Sequence, residues 1–309
     1  MQPYFSVIIP TYNRDSRIKA TVESVINQTF EDWEIVIVDD ASTDNTYEVL
    51  EPYLKKYSSI VYLKNEQNLE RSMSRNKGLE YAQGKYICFL DSDDHYLPNH
   101  LSICYKEIQS KEDRIAMFFT GYTWNFPDKI KKVVLAEIKK GREVEWMIEN
   151  QVAPSATVIH KDILKEFKFN PALVVNEDVE LFSRICSKFP LIKIEHYTIN
   201  FYVHDQATKS LYKDYITPQI RAHKLIYSNP LIKNKISKEF KTEKLKNLYF
   251  IRVQLFNNSQ YKLKAIKESL NFIVKYPNHS RIKEVLVIFI YNLPVFGFVF
   301  KLINSLIKR

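Results

Sequence analysis

Short apolar runs alternate with amphipathic helical stretches in the first third of this 309-residue chain, and this alternation constrains its fold more than any other feature. Four runs rich in β-branched and aromatic residues occur, at 4–10, 34–38, 60–63 and 86–90. Such continuous runs are typical of strands buried on both faces, hence of a parallel sheet. Three helical patterns separate them, at 17–27, 45–56 and 71–82. The order βαβαβαβ predicts an open, doubly wound α/β domain.

Beyond Arg114 the secondary-structure signal weakens. Three further elements are predicted: a strand at 114–122, a helix at 175–189 and a strand at 191–204. The stretch 129–138 is either a strand or a loop. From Asp214 the chain is helical and basic to its end. We therefore expect an α/β domain over residues 1–215, followed by a helical, basic C-terminal region over residues 216–309.

Charge is distributed unevenly along the chain. Residues 229–309 hold 16 Lys and Arg against 4 Asp and Glu, whereas the other 228 residues hold 29 against 32. A basic region suits nucleic acid or an anionic membrane surface. This one lacks the interleaved aromatic and basic residues that stack on bases, so we expect no nucleic-acid partner.

An uncharged segment of 16 residues, 285–300, lies within the basic region and precedes Lys301, Lys308 and Arg309. As a helix it would extend only about 24 Å, short of the ~30 Å hydrocarbon core of a bilayer. We expect a monotopic anchor, with its basic residues on anionic headgroups. A buried helix, a contact between two copies of the chain through the C-terminal helices, and a true span are the alternatives.

The three cysteines, Cys88, Cys104 and Cys186, lie far apart and form no C-x-x-C pair. The first residues, MQPYFSVIIP, read as a core strand rather than as a targeting segment. Both features favour a reducing, cytosolic compartment. Together with the basic region, they predict a cytoplasmic protein that is peripheral on the inner face of the cell membrane.

Polar and acidic residues follow the ends of the predicted strands, where open parallel sheets bind ligands. The segments are 10–14 (PTYNR), 39–42 (DDAS) and 91–94 (DSDD). Two carboxylates about 4 Å apart repel by roughly 4 kcal/mol at an effective dielectric constant of ~20, and a cation would offset that cost. Hard oxygen ligands suit Mg²⁺ or Mn²⁺, which share carboxylates with substrate phosphates. Because neither Gly-rich phosphate motif is present, a metal is the more necessary partner of a diphosphate.

Four motifs in order, SVIIPTYNR, IVIVDDASTDNT, RSMSRNKGLEYAQGKYICFLDSDD and NED at 176–178, resemble those of the inverting family-2 glycosyltransferases. The resemblance covers roughly residues 4–205. It implies a GT-A-type nucleotide-binding domain with a mostly parallel central sheet. It also implies metal-dependent, inverting transfer of a sugar from a UDP-sugar to an acceptor hydroxyl. Family analogy suggests a glycan or polyprenyl-linked acceptor in bacterial surface-polysaccharide or glycoconjugate assembly.

The resemblance also implies a nucleotide site. Pro10, Thr11, Tyr12 and Asn13 would line the base, with Tyr12 stacking on uracil, a contact that suits an aromatic face. Asp40 would accept the N3 hydrogen of the uracil.

The diphosphate and metal site is implied in the same way. Asp91 and Asp93 match the family's Asp-x-Asp motif, so Asp93 would ligate Mn²⁺ or Mg²⁺ and Asp91 would reach the ribose or the metal. Ser92 lies between them in the donor site. Arg71 and Arg75, four residues apart on one helix face, could face the diphosphate.

Two more residues complete the implied site. His204 stands where many relatives place a histidine near the metal or the diphosphate. Asp178 matches the family's general base, which would take the proton from the acceptor hydroxyl as its oxygen attacks the anomeric carbon. General-base catalysis of this kind contributes typically ~10²–10⁴-fold.

Three other functions fit parts of the sequence. A nucleotidyltransferase acting on a sugar phosphate also uses strand-end acids and Mg²⁺, but it would need a Gly-rich loop, and PTYNRDSRIK contains no glycine. A processive polysaccharide synthase would carry Gln-x-x-Arg-Trp, and Trp33, Trp124 and Trp146 lack that context. A non-enzymatic basic module would use the C-terminal region alone. Release of UDP rather than pyrophosphate separates sugar transfer from nucleotide transfer.

Overall fold

A computed structural model of the protein describes residues 2–126, 128–133, 135–202, 214–258 and 262–293. The chain divides into two compact units. The first comprises residues 1–207 and 229–235, and the second comprises residues 208–228 and 236–309.

The first unit begins with the predicted alternation of strands and helices. Its strands are β1 (Phe5–Thr11), β2 (Trp33–Asp39), β3 (Ile60–Lys64) and β4 (Tyr86–Phe89), and its helices are α1 (Ile18–Ile26), α2 (Thr46–Lys56) and α3 (Glu70–Tyr81). The strands are parallel, in the order β3-β2-β1-β4. Each element lies within one or two residues of its predicted position, so the α/β class is confirmed.

The remaining elements of this unit follow in the order β5 (His95–Tyr96), α4 (His100–Gln109), β6 (Met117–Asn125), β7 (Ile130–Val133), α5 (Glu143–Asn150), β8 (Thr157–His160), α6 (Lys161–Glu166), α7 (Glu177–Cys186) and β9 (Leu191–Tyr202). A 3₁₀ turn at Pro154–Ala156 precedes β8.

The sheet continues as β4-β8-β6-β9-β5, with β7 paired to β6. Parallel pairing is confined to β3-β2-β1-β4 and to β6-β9, so the whole sheet is mixed. The change occurs at β8, which is antiparallel to both β4 and β6. Because of this double reversal, β6 and β9 run in the same direction as β1, β2 and β4. The carboxyl ends of these five strands lie along one side of the sheet, here called the carboxyl edge.

Helix α3 packs closely on the sheet. A Cβ atom placed on Gly78 would lie 2.4 Å from Cγ2 of Ile8 in β1, and 3.4 Å from Cγ2 of Val38 in β2. Only glycine therefore permits this approach of helix and sheet. The buried residues of α3 include Ser72, Ser74 and Arg75 besides Gly78 and Leu79. The buried face of this helix is therefore largely polar, and it places these polar side chains near the carboxyl edge of the sheet.

The second unit is helical, with α8 (Ile216–Ser228), α9 (Lys238–Asn258), α10 (Lys262–Lys275) and α11 (Ile282–Asn292). The predicted C-terminal helices are thus present. Their core contains Phe250, Val253, Phe272, Tyr276 and Val285. None of the helices in the described ranges is both long enough and apolar enough to cross a bilayer. The uncharged segment 285–300 begins in α11, and its residues 294–300 lie outside the described part of the chain.

Candidate active site

The loops that follow β1 and β2 are joined to each other at the carboxyl edge. The Asn13 N–H donates to Ser42 Oγ at 2.9 Å, and Asn13 Oδ1 accepts the Thr43 N–H at 2.9 Å. Asn13 and Ala41 both have left-handed backbones, with φ of +51° and +65°. Non-glycine residues in this region are unusual and often occur at functional sites, where the surrounding structure maintains the strain. Pro10 and Thr11 are buried at the end of β1, and Tyr12 beyond them is 43% exposed.

The two aspartates after β2 have different surroundings. Asp39 is buried and accepts hydrogen bonds from the Ser42 N–H at 2.7 Å and the Tyr62 hydroxyl at 2.5 Å. Asp40 accepts from Asn65 Nδ2 at 2.7 Å and from the Leu69 N–H at 2.9 Å, both through Oδ1. Asp39 therefore stabilises its own loop, whereas Asp40 is fixed between the loops that follow β2 and β3.

The acidic loop after β4, residues 91–94, is held by Ser155 in the 3₁₀ turn. The Asp91 N–H donates to Ser155 Oγ at 3.1 Å, and Ser155 Oγ donates to Asp94 Oδ2 at 2.7 Å. Ser92 is buried within the loop. Asp93 Oδ2 lies 3.8 Å from Arg14 Nη2, which reaches it from the loop after β1.

The acids of this loop differ in protonation. Burial, together with the charges of Asp91 and Asp93, raises the pKa of Asp94 well above its usual range. At Asp91 burial acts in the same direction, but the charge and hydrogen bond of Arg75 outweigh it and lower the pKa. The loop thus brings Asp91, Asp93 and Asp94 close enough together for their charges to affect one another.

Arg75 links the acidic loop to the start of α7. Its guanidinium is almost fully buried, with Nη2 2.6 Å from Asp91 Oδ1 and Nη1 2.9 Å from Glu177 Oε1. The guanidinium also lies 5.1 Å from the ring centroid of Phe169. Arg71, on the same face of α3, has its Nε 3.9 Å from Glu177 Oε1 and remains 34% exposed. Arg75 is therefore an internal bridge, and Arg71 is the member of the pair that is still accessible to a ligand.

Asp178 lies in the first turn of α7. The residue before this helix, Asn176, has a left-handed backbone with a φ of +56°. Asp178 Oδ1 accepts the Val179 N–H at 2.7 Å. Burial and the neighbouring Glu177 raise the pKa of Asp178 to about 7, against the opposing effects of that hydrogen bond and of Arg75. A carboxylate that titrates near neutrality suits general-base chemistry.

The structure thus brings together most residues predicted from the sequence. Arg75 contacts both Asp91 and Glu177, and Glu177 is the residue next to Asp178. Pro10 and Thr11 end β1, and Tyr12, Asn13, Asp40 and Ser92 lie in loops of the same edge. His204 lies outside the described residues. Within the described ranges, no three His, Cys, Asp or Glu side chains are close enough to form a metal site by themselves.

Two residues of the site were not predicted. Glu177 is the shared partner of Arg71 and Arg75, and its place beside Asp178 in the NED segment was the only signal for it. Ser155 supports the acidic loop from 61 residues away in sequence, and no local pattern indicates that contact.

Comparisons with known proteins bear on this site. The family model described as glycosyl transferase family 2 matches residues 6–166. The chain is also similar to the Escherichia coli protein WfaP, named a UDP-Glc:alpha-D-GlcNAc-diphosphoundecaprenol beta-1,3-glucosyltransferase. The two are 32% identical over 186 residues, which cover 59% of this chain and 70% of WfaP.

Two solved structures share the fold. TarS 1-349 of S. aureus, in complex with UDP-GlcNAc, aligns with a TM-score of 0.63 and 20% identity, over 95% of this chain and 86% of TarS 1-349. The mannosyltransferase PcManGT of Pyrobaculum calidifontis, in complex with GDP-Man and Mn²⁺, aligns with a TM-score of 0.58 and 12% identity, over 95% and 88% of the two chains. At these identities the likeness concerns the fold alone.

Proposed function

The chain belongs to glycosyl transferase family 2, and we propose that it transfers a sugar from a UDP-sugar, with inversion, to a hydroxyl of a glycan or polyprenyl-linked acceptor. The observation that carries this proposal is the buried Arg75 bridge. It joins the acidic loop that would face the donor diphosphate to the helix that carries Asp178, the candidate base. The names of similar proteins support the donor and acceptor classes, since WfaP uses UDP-Glc and a diphosphoundecaprenol-linked sugar, and TarS binds UDP-GlcNAc.

A divalent cation, Mn²⁺ or Mg²⁺, fits the acidic loop. Asp93 and Asp91, whose carboxylates are hard oxygen ligands in one loop, would hold it, with His204 as a third ligand. Mg²⁺-like ions commonly bind through one or two carboxylates plus substrate phosphates, so a large set of protein ligands is not required. When bound, the ion would stabilise negative charge on the departing diphosphate. The Mn²⁺ in the mannosyltransferase structure supports this assignment.

The residues of the chain divide the reaction between them. Asp178 accepts the proton of the acceptor hydroxyl as its oxygen forms a bond to the anomeric carbon. The bond from that carbon to the diphosphate oxygen breaks, and its electron pair leaves with UDP. Arg71 and Arg14 supply positive charge beside the acids, while Tyr12 and Asp40 bind the uracil. One displacement inverts the anomeric carbon, so an α-linked donor gives a β-glycoside, as the name of WfaP also implies for its product.

The same proposal assigns the second unit to the cytoplasmic face of the membrane. This unit corresponds to most of the basic C-terminal region, and its helices α10 and α11 expose large apolar side chains. Leu263 is 80% exposed, Val274 74% and Val287 66%. Exposed apolar side chains on a basic unit suit shallow insertion into an anionic surface. Residues 1–215 would then form the catalytic domain.

The test is a product assay with a panel of UDP-sugars, with and without Mn²⁺. We expect UDP release that depends on the acceptor, on the metal and on Asp93, and a product of inverted anomeric configuration by NMR.

UDP with Mn²⁺ should raise the Tm of the wild type but not of Asp93→Asn, because a ligand that binds the folded state stabilises that state. Asp32→Asn, an exposed acid before β2, is the matched control. Full activity after removal of divalent ions, or retention at the anomeric carbon, would refute the proposal.

A further inference from the structure

Strands β6, β7 and β9 form a ribbon that extends the sheet at the carboxyl edge. Residues 117–119 of β6 pair with β8, and residues 122–125 pair with β7 instead, while β9 follows β6 along its whole length. Alternate residues of a strand share one face, so Tyr122 and Trp124 point to the same side. Lys131 of β7 is the register partner of Trp124 and shares that side. Lys132, the next residue, points to the opposite face.

The shared face lies at the same edge of the sheet as the candidate base. Arg75 holds the start of α7, which carries Asp178, beside the loop after β4, and Tyr122 and Trp124 lie at the carboxyl end of β6. Burial raises the pKa of Tyr122, and the negative charge of Asp178 contributes to the rise. The ring centroids of Tyr122 and Trp124 are 6.4 Å apart. Phe201 of β9 packs against Trp124 with centroids 5.1 Å apart and fixes its ring, which remains 37% exposed. An exposed, supported indole therefore lies at the edge of the sheet that carries the candidate base.

Positive charge accompanies this indole. Lys129, Lys131 and Lys132 are exposed, and none of the three forms an ion pair with another described residue. Lys132 instead has its Nζ 5.2 Å from the ring centroid of Tyr197 on the other face. Lysine is a common point-charge ligand of phosphate. An anionic group of a ligand is therefore favoured directly beside Trp124.

We propose that Trp124 and Lys131 form the acceptor subsite and that its occupant is a sugar carried on a diphosphate. The sugar ring would stack on Trp124 with its reacting hydroxyl toward Asp178, and the diphosphate would contact Lys131. The pairing of an exposed indole with a lysine on the same face supports this occupant, because Trp124 can stack on a sugar ring while Lys131 contacts a phosphate. A longer neutral glycan would place further sugars, not charge, at Lys131. The inference rests on the proposed glycosyl transfer and names its acceptor.

The experiment compares two acceptors of the full-length protein: N-acetylglucosamine on a farnesyl diphosphate, and the same sugar as a neutral farnesyl glycoside. Transfer is measured with the best UDP-sugar, and UDP-sugar hydrolysis without acceptor serves as the donor-side readout. The variants are Lys131→Gln, Lys132→Gln, Trp124→Ala and Trp124→Phe. Lys132→Gln is the matched control, because it removes the same charge from the other face of the same strand.

We expect the wild type to prefer the diphosphate acceptor. Lys131→Gln should lower kcat/KM about tenfold for the diphosphate acceptor and leave the neutral one within twofold, while Lys132→Gln changes neither. Trp124→Ala should lower kcat/KM for both acceptors by about 10- to 100-fold through KM, and Trp124→Phe should restore most of it. Donor hydrolysis should be unchanged in all four variants.

Any of three results would overturn the proposed subsite. The wild type could use both acceptors equally, the two lysine variants could have equal effects, or Trp124→Ala could leave the acceptor KM unchanged. A wild type that releases UDP from no UDP-sugar would instead refute the proposed function. The two failures are thus distinguishable. Tm values of the four variants within about two degrees of the wild type would show that a changed KM does not arise from misfolding.

Discussion

Glu177 and Asp178 are neighbours at the start of α7, but their surroundings give them different roles. Glu177 is paired with the buried Arg75 and with Arg71, so its charge is neutralised within the protein. Asp178 accepts one backbone N–H and has no such partner at ion-pair distance among the described residues, and its pKa rises to about 7. The first carboxylate therefore stabilises the site, and the second is available to exchange a proton with a substrate.

The raised pKa of Asp178 predicts the direction of the pH dependence. A general base acts in its deprotonated form, so kcat should rise from pH 6 to pH 8 through a midpoint near 7. Asp178→Asn should lower kcat by about 10²–10⁴-fold and abolish this dependence, since the proton acceptor is lost. Initial rates at saturating substrates test both points, and UDP affinity is the control, which we expect to be unchanged. A variant that keeps near-full turnover would exclude Asp178 as the base.

Arg75 predicts a stability effect rather than a purely catalytic one. Arg75→Met would leave Asp91 and Glu177 without the guanidinium, and breaking a buried ion pair from one side costs about 3–5 kcal/mol. Urea denaturation should show this loss in the free energy of unfolding. Arg71→Met is the matched control on the same helix face, and we expect less than about 1 kcal/mol there because the Arg71 side chain is partly exposed and its contact with Glu177 is long. Equal losses in both variants would contradict the assigned bridge.

At the level of secondary-structure elements, the position of α3 determines the position of Arg75. The helix approaches β1 and β2 so closely that a Cβ on Gly78 would collide with Ile8. Ile8 is β-branched, fully buried and part of a central strand, so it has little freedom to move. The distance between this helix and the sheet therefore depends on one glycine, and the acidic loop is aligned with α7 only if that distance is kept.

Gly78→Ala distinguishes packing from helix propensity. In an exposed helix the change would stabilise by about 1 kcal/mol, because alanine has the higher propensity. At this site the overpacking should dominate and destabilise by about 1–3 kcal/mol. Glu80→Ala, at an exposed position of the same helix, is the control and should be within about 0.5 kcal/mol of the wild type. Thermal and urea unfolding measure the sign, and a more stable Gly78→Ala would show that α3 can shift away from the sheet at little cost.

The elements that sequence predicted well are those whose signal is local. Strands β1 to β4 are continuous apolar runs, and the predicted family, fold and enzyme class are confirmed. Strand β8, with the sequence TVIH, was not predicted. Its antiparallel pairing with β4 and β6, which makes the sheet mixed, depends on contacts between distant segments. The Arg75–Glu177 pair spans 102 residues and is likewise invisible to local patterns. The roles of Tyr12, Asp40 and His204 stay predictions.

At the level of the whole molecule, charge is divided unequally along the chain. Residues 229–309 carry a net charge of +12, from 16 basic and 4 acidic side chains. Helices α10 and α11 expose the large apolar side chains of Leu263, Val274 and Val287. Scattered apolar side chains are ordinary on protein surfaces, but their combination with a strongly basic unit favours an anionic interface.

Vesicle binding tests this division. The full-length protein should cosediment with vesicles that contain anionic lipid, and less with neutral vesicles or at high salt, since each basic residue near the surface contributes about 1 kcal/mol. Val274→Ser with Val287→Ser should weaken binding by at least tenfold, because burying each valine in the interface contributes on the order of 1.5 kcal/mol. Ile115→Ser with Tyr81→Ser, two exposed side chains of the first unit, is the matched control. Equal vesicle binding by both double variants would exclude α10 and α11 as the membrane contact, and so would binding that does not depend on lipid charge. The exposed side chains of these helices would then bind another partner.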